Sequence, residues 1–286
     1  MSPEGLLPSA GGGLLAGRAA VVTGAARGIG RATAQLLALH GARVLISDLD
    51  EELAQEVADG IGGGAVACGG DITAAGGAER VVAMAAEAFG QLDIIVNNAG
   101  YNRPGLFHKM DDAAFQAMLD IHLWAPFRIL RAAAPMLREP AKREAARGEE
   151  VFRKIVNVSS IVGMAGGPLE VNYAAGKAGI AGMTKSLAKE WGRFKVNVNA
   201  VAFGLIETRL TAPRGEGNVI SVGGEPVALG IGREFREAEL ERAGDQIALG
   251  RWGTPQEAAG AIFFLCSPWS NYVHGEVLHV TGGLLS

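Results

Sequence analysis

The chain has 286 residues, 49% of them hydrophobic and 20% charged, a globular composition with enough apolar material for one substantial core. Its 26 basic and 30 acidic residues give a formal charge of −4, so there is no basic field for a nucleic-acid backbone, and no apolar run approaches the ~20 residues of a membrane-spanning helix. Glycine is the anomaly: 42 residues, about twice the usual ~7%, without a collagen-like period, which calls for many tight turns or close backbone contacts.

Residues 1–13, with Pro3 and Pro8, read as a flexible leader that lacks the order of a signal peptide, and the glycines through Gly17 as a linker. The expected compartment is the cytoplasm, which suits two cysteines, Cys68 and Cys266, read as small buried apolar residues. From Ala19 onward, short apolar runs alternate with helical stretches. The runs are Ala19–Val22, Arg43–Ile46, Ala65–Ala67, Asp93–Val96, Lys154–Val158, Val196–Val201 and Val277–Val280. Helices are expected at Gly28–His40, Asp50–Asp59, Thr73–Phe89, Asp112–Arg138 and Val171–Trp191. Uninterrupted apolar strands alternating with helices predict an α/β fold: one Rossmann-like doubly wound domain over residues 14–286, a mostly parallel seven-stranded sheet with helices on both faces. Glu139 to Arg153 reads as a charged surface insert. Thr211 to Leu249, ending in an amphipathic helix, reads as an extended loop (about 209–250) that covers substrate or meets another subunit.

At the first strand-to-helix junction stands Thr23-Gly24-Ala25-Ala26-Arg27-Gly28-Ile29-Gly30. Gly24 permits a sharp turn, Gly28 lets backbone approach a pyrophosphate, Gly30 allows close packing, and the helix N-terminus offers N–H groups to the anion. Asp48, with Leu49 beside it, ends the second strand eighteen residues after Gly30, where an acid can hold the adenosine ribose; the alternative is a turn acid before the next helix, a part that Asp50 could also play. A carboxylate there repels the extra phosphate of NADP, whereas Arg27 could pair with it. The balance favours NAD(H) over NADP(H). The histidines lack a metal-binding spacing, so no metal is expected.

Farther on come Ser160, Tyr173 and Lys177. Tyrosine and lysine four apart share a helical face. An ammonium about 4 Å from a phenolate contributes on the order of 4 kcal/mol at an effective dielectric near 20, enough to draw a phenol pKa from ~10 toward ~7 and let it exchange a proton with an alcohol or ketone.

Thr23 to Gly30, Asn97-Asn98-Ala99-Gly100, Ser160, Tyr173-xxx-Lys177 and Gly282-Gly283 occur in the order found in short-chain dehydrogenases/reductases, which the chain resembles over about residues 14–286. Val156 to Ser160, Asn172 to Gly179 and Ile206-Glu207-Thr208 resemble the 3-oxoacyl-acyl-carrier-protein reductase type. The resemblance implies Tyr173 as acid/base, Ser160 as the hydroxyl that orients the substrate oxygen, and Lys177 as a ribose-binding group that also tunes the tyrosine; family spacing selects Ser160 over Ser159. It further implies that Asp71 and Ile72 meet adenine, that Asn98, Ala99 and Gly100 line the nucleotide, and that Gly204, Ile206 and Thr208 form the nicotinamide side.

Two departures stand out. His122 replaces the usual helix asparagine, whose main-chain carbonyl serves a water-linked proton relay; either His122 keeps the relay or it is an ordinary helix histidine. Phe203 replaces the usual proline and would offer an aromatic surface near the nicotinamide.

The expected function is an oxidoreductase that interconverts a secondary alcohol and a ketone by hydride transfer. A non-catalytic nucleotide sensor or scaffold on the same fold is the alternative. Tyr101, Arg103, Gly166, Gly167, Leu169 and the segment after Thr208 are candidate pocket residues and favour an apolar carbonyl compound such as a 3-oxoacyl thioester, a steroid-like ring or a cyclic ketone. The resemblance also implies a homotetramer or dimer through the Asp112–Arg138 and Val171–Trp191 helices, with Leu119, Trp124 and Phe127 contributing.

Overall fold

The seven apolar runs pair side by side in a computed structural model that describes residues 13–215 and 218–284; the leader, residues 1–12, lies outside the described residues. In chain order the strands are β1 (Ala19–Thr23), β2 (Arg43–Asp48), β3 (Val66–Gly69), β4 (Ile94–Asn97), β5 (Arg153–Ser160), β6 (Val196–Phe203), β7 (Val219–Val222), β8 (Glu225–Ala228) and β9 (Val277–Val280). The main sheet runs β3-β2-β1-β4-β5-β6-β9 with every pairing parallel. This is the doubly wound architecture expected from the sequence. The order reverses between β1 and β4, so a crevice opens at their C-terminal ends, where such sheets bind ligands.

Helices α3 (Gly77–Phe89), α4 (Asp112–Leu119), α5 (Ala125–Ala146) and α7 (Val171–Trp191) cover one face; α1 (Gly28–Leu39), α2 (Glu51–Ile61) and α9 (Pro255–Cys266) cover the other. A short turn, α6 (Val162–Ala165), and α8 (Arg233–Gln246) complete the helices among the described residues. β1, β4 and nearly all of β5 and β6 are buried because both faces are covered, which is why they lack an alternating pattern. No helix of the described residues is long and apolar enough to cross a membrane.

Several local expectations change. Residues 13–17 are no linker: Leu15 is buried and its N–H donates to His40 O at 2.9 Å. The long helix expected over Asp112–Arg138 is interrupted by a π-helical turn, Asp120–Trp124, and then runs on to Ala146 through the segment read as a surface insert. Its buried stripe Ile129, Ala133, Leu137, Ala141 repeats every four residues and passes beneath the charges of that segment. Arg153 is buried at the start of β5 and paired through both Nη atoms with Glu144 at 2.7 Å.

The long segment after Thr208 holds a hairpin, β7–β8, turned by Gly223 and Gly224 with φ of +59° and +85°. Beyond it α8 is polar over most of its surface, with Ala243 fully buried and Leu240 exposed, rather than amphipathic. Phe203 points into the core on the α9 side, with Ala258 and Ile262, and offers no aromatic face to the crevice. Alternation along β6 decides this: Val196 and Val198 serve one core, Val201 and Phe203 the other. Both cysteines are free and buried.

Candidate active site

At the crevice, the turn after β1 and the turn after β4 are stitched together. Thr23 Oγ1 accepts the N–H groups of Asn98 and Ala99, both at 3.0 Å, and Asn98 Nδ2 donates to the carbonyls of Thr23 and Gly24 at 2.9 and 3.0 Å. Gly30 is what lets these turns approach, since a Cβ there would lie 2.1 Å from Gly24 O. Gly24 has φ of +62°, and its Cβ would meet Ala99 Cα at 2.7 Å. Helix α1 starts at Gly28 with no side chain capping its first turn, so its N–H groups face outward.

The resulting cleft has a volume of about 640 Å³. Gly24, Arg27, Gly28, Ile29, Asp48, Leu49, Asp71, Ile72, Asn98, Ala99, Gly100 and Thr208 all line it. Ile206 and Gly204 do not: the Ile206 side chain packs toward Gly253, its carbonyl accepts from Thr211 Oγ1 at 2.6 Å, and Gly204 sits against Thr281. Uncapped N–H groups, a cleft floor with no Cβ at Gly28 and a carboxylate at the end of β2 fit the phosphates and ribose of a dinucleotide.

Asp48 accepts from Ala26 N at 2.9 Å and Asp50 N at 3.2 Å, while Asp50 caps α2 through Leu53 N, so the capping role belongs to Asp50. Burial lifts the Asp48 carboxyl above its ordinary range against the pull of these N–H donors. Arg27 reaches Asp50 at 3.4 Å with both side chains exposed, a weak pair. Arg209 falls in the segment expected to line a pocket but was not singled out for the nucleotide; it lines the cleft, partly buried and within the field of Arg27, Asp48 and Asp50. Its position beside Thr208 was the available signal. Val219, Ile220 and Val222 of the hairpin also line the cleft, so the expected loop lies over the nucleotide end.

Tyr173 and Lys177 stand one turn apart on α7. Ser160 is hydrogen-bonded to the tyrosine side chain, whereas Ser159 Oγ is turned inward and donates to Lys177 O at 2.8 Å. Lys177 Nζ lies 5.5 Å from the centre of the Tyr173 ring and donates to Val158 O at 2.8 Å. The electrostatics differ from the sequence expectation. Burial and then the charge of Glu170 push the Tyr173 phenol above its ordinary value, against the Ser160 hydrogen bond, and burial brings Lys177 down to about 7. The expected ammonium on the phenolate is absent because Lys177 is drawn to the carbonyl of Val158.

His122 sits on the π turn with its ring edge-on to Tyr173, centroids 4.9 Å apart. Nε2 lies 2.8 Å from Tyr101 O, and the ring fills space that a Cβ on Gly100 would invade at 2.4 Å, while a Cβ on Gly176 would come within 3.0 Å of His122 Cβ. Gly100 therefore admits the histidine as well as lining the cleft. Burial first, then the Lys177 charge, hold His122 well below the usual imidazole range, so the ring is neutral.

A parallel sheet with a glycine turn at its switch point, and a Ser-Tyr-Lys cluster beside the cleft, defines a nucleotide-dependent oxidoreductase of the short-chain type. The family described as Enoyl-(Acyl carrier protein) reductase matches residues 24–285. The 3-oxoacyl-acyl-carrier-protein reductase of Vibrio cholerae is 37% identical, over 94% of this chain and 98% of that one. Among solved structures, a 3-ketoacyl-(acyl-carrier-protein) reductase from Brucella melitensis complexed with NADH aligns with a TM-score of 0.78 and 30% identity, covering 94% of this chain and 99% of that one. A dehydrogenase/reductase from Sinorhizobium meliloti aligns at 0.79 and 32%, covering 95% and 96%. The chain belongs to the short-chain dehydrogenase/reductase family and is an oxidoreductase that uses a nicotinamide cofactor. The non-catalytic alternative gives way to this.

Proposed function

We propose that the protein reduces a 3-oxoacyl thioester or a related apolar ketone, using NAD(H) in preference to NADP(H), with Tyr173 as the acid/base. The observation that carries the reading is the grouping of Ser160, at the C-terminal end of β5, with Tyr173 and Lys177 of α7, joined to the cleft lining through His122, which meets both Tyr173 and Tyr101. The Vibrio and Brucella relatives bear names that specify 3-oxoacyl (3-ketoacyl) substrates, which supports the substrate class.

Asp48, at the end of β2 within the cleft, supports the cofactor preference, with Arg27 drawn off toward Asp50. Gly24, Gly28, Ile29 and Gly30 would hold the pyrophosphate; Leu49, Asp71 and Ile72 the adenosine; Asn98, Ala99, Gly100 and Thr208 the remainder. Ile206 and Gly204 would contribute through the main chain. A bound nicotinamide supplies or accepts the hydride.

In the reducing direction Ser160 donates a hydrogen bond to the ketone oxygen and fixes its place, and Tyr173 delivers its proton to that oxygen as the carbon becomes tetrahedral. Lys177 binds the ribose hydroxyls and, once moved off Val158 O, lowers the cost of the phenolate. His122 serves the returning proton through its main-chain carbonyl. Pro126, four residues on, has no N–H to donate to that carbonyl, so the α-helical hydrogen bond that would occupy it is missing. Residues 209–250 form the covering loop of the domain over 14–286. Trp124 and Phe127, exposed on the π turn and α5 and packed edge to face at 5.7 Å, support a homotetramer or dimer through this surface.

The test is Tyr173→Phe. Reduction of a 3-oxoacyl thioester, a steroid ketone and a cyclic ketone with NADH should fall by about 10²–10⁴ with NADH affinity unchanged. Retained turnover defeats the assignment.

A further inference from the structure

Glu170 is the residue immediately before α7, three positions ahead of Tyr173, so carboxyl and phenol lie on the same side of the helix start. It is half-buried. Its Oε1 accepts from Nδ2 of Asn102, and Oε2 lies where a Cβ on Gly167 would come within 2.7 Å, so the carboxyl is clasped between the loop after β4 and the turn after α6. The same two segments are joined by Gly105 N donating to Leu169 O at 2.8 Å, and the first turn of α7 is tied to the loop after β4 by Asn172 Nδ2 donating to Arg103 O at 3.0 Å. Glu170 enters no ion pair among the described residues. A half-buried carboxylate held without a cation is costly, and such groups concentrate at working sites.

The charged and titratable neighbours of Tyr173 leave Glu170 a distinct part. On the π turn His122 is neutral. On α7 Lys177 is tied to Val158 O. On the loop after β4, Arg103 acts on Tyr101, itself shifted upward by burial. From β5 the Ser160 hydroxyl opposes Glu170 at the phenol, and burial makes Glu170 itself harder to ionise.

We propose that Glu170, oriented by Asn102, is a positioning residue that keeps Tyr173 protonated and so sets the pH above which carbonyl reduction fails. This rests on Tyr173 being the acid/base. The negative charge disfavours the phenolate, so reduction persists to higher pH and oxidation starts later.

The experiment is the pH dependence of kcat/KM in both directions, from about pH 5 to about pH 10, with NADH or NAD and the best-turned-over substrate of the panel above. Glu170→Gln keeps the shape and removes the charge. Its alkaline limb for reduction should move down by about one unit, and the acid limb for oxidation should move down with it. The two profiles should converge at acid pH, where wild-type Glu170 is protonated. Glu170→Asp should restore most of the shift. Asn102→Ala, which frees the carboxyl, should give a smaller shift in the same direction and serves if Glu170→Gln does not fold. Coincident limbs in wild type and in variants that bind NADH normally overturn the proposal. Turnover by Tyr173→Phe would overturn the assignment beneath it and is read separately.

Discussion

The two ends of the cleft are built by different means. At the nucleotide end the work is done by main chain: glycines that permit contact, N–H groups left uncapped, and one carboxylate braced by two backbone donors. At the reaction end it is done by side chains whose charges are set by burial, with Tyr173 pushed up, Lys177 brought down to about 7 and His122 kept neutral. Backbone geometry survives most surface change but tolerates no added atom. Buried charge tolerates shape changes yet responds to any unit of charge nearby.

Gly30→Ala should break the first end most severely. The added Cβ would fall 2.1 Å from Gly24 O and 2.5 Å from Asn98 Nδ2, so the two stitched turns must separate. A cost of about 1–3 kcal/mol in stability is expected, with at least a tenfold loss of NADH affinity. Thermal unfolding and NADH titration measure the two. Unchanged affinity would mean that the turns are not the phosphate seat. Tyr173→Phe should give the opposite pattern, lost turnover with binding kept.

Asp48→Asn sharpens the contrast, because it replaces a charge at the end otherwise governed by backbone. The amide keeps one acceptor for Ala26 N or Asp50 N and removes the repulsion toward a 2′-phosphate. The ratio of kcat/KM with NADH to that with NADPH should fall about tenfold. A ratio that stays put would transfer the discrimination to Arg27 and Arg209.

The same division governed what could be read from sequence. The sheet was legible because buried parallel strands are uninterrupted apolar runs, and the glycine turn because its spacing has a mechanical meaning. Helix α9 went unread although Thr254-Pro-Gln-Glu257 writes a capping box, which the structure forms through Thr254 and Glu257. The hairpin was likewise written, as alternating residues around Gly223-Gly224, but read as loop. The π turn was hidden inside a continuous helical period, and the Glu139 charges masked the stripe ending in Ala141. The phenol shift could not be read at all, since spacing places Lys177 near Tyr173 but does not say that its ammonium is taken by Val158 O.

His122 lies between the two regimes, a buried ring whose part in the chemistry, as proposed, is played by its backbone. Its ring is neutral and engaged with Tyr101 O, so exchange for asparagine removes the ring's contacts with Gly100 and Tyr101 O but no titrating group. His122→Asn should leave turnover within about threefold and the pH–rate profile in place. Pro126→Ala should do more, since the new N–H can close onto the His122 carbonyl and compete there with the proposed relay; turnover should fall about tenfold while the helix gains stability. The pair of variants separates backbone from side chain: a profile that moves in His122→Asn and holds in Pro126→Ala would put the relay on the ring, against its burial.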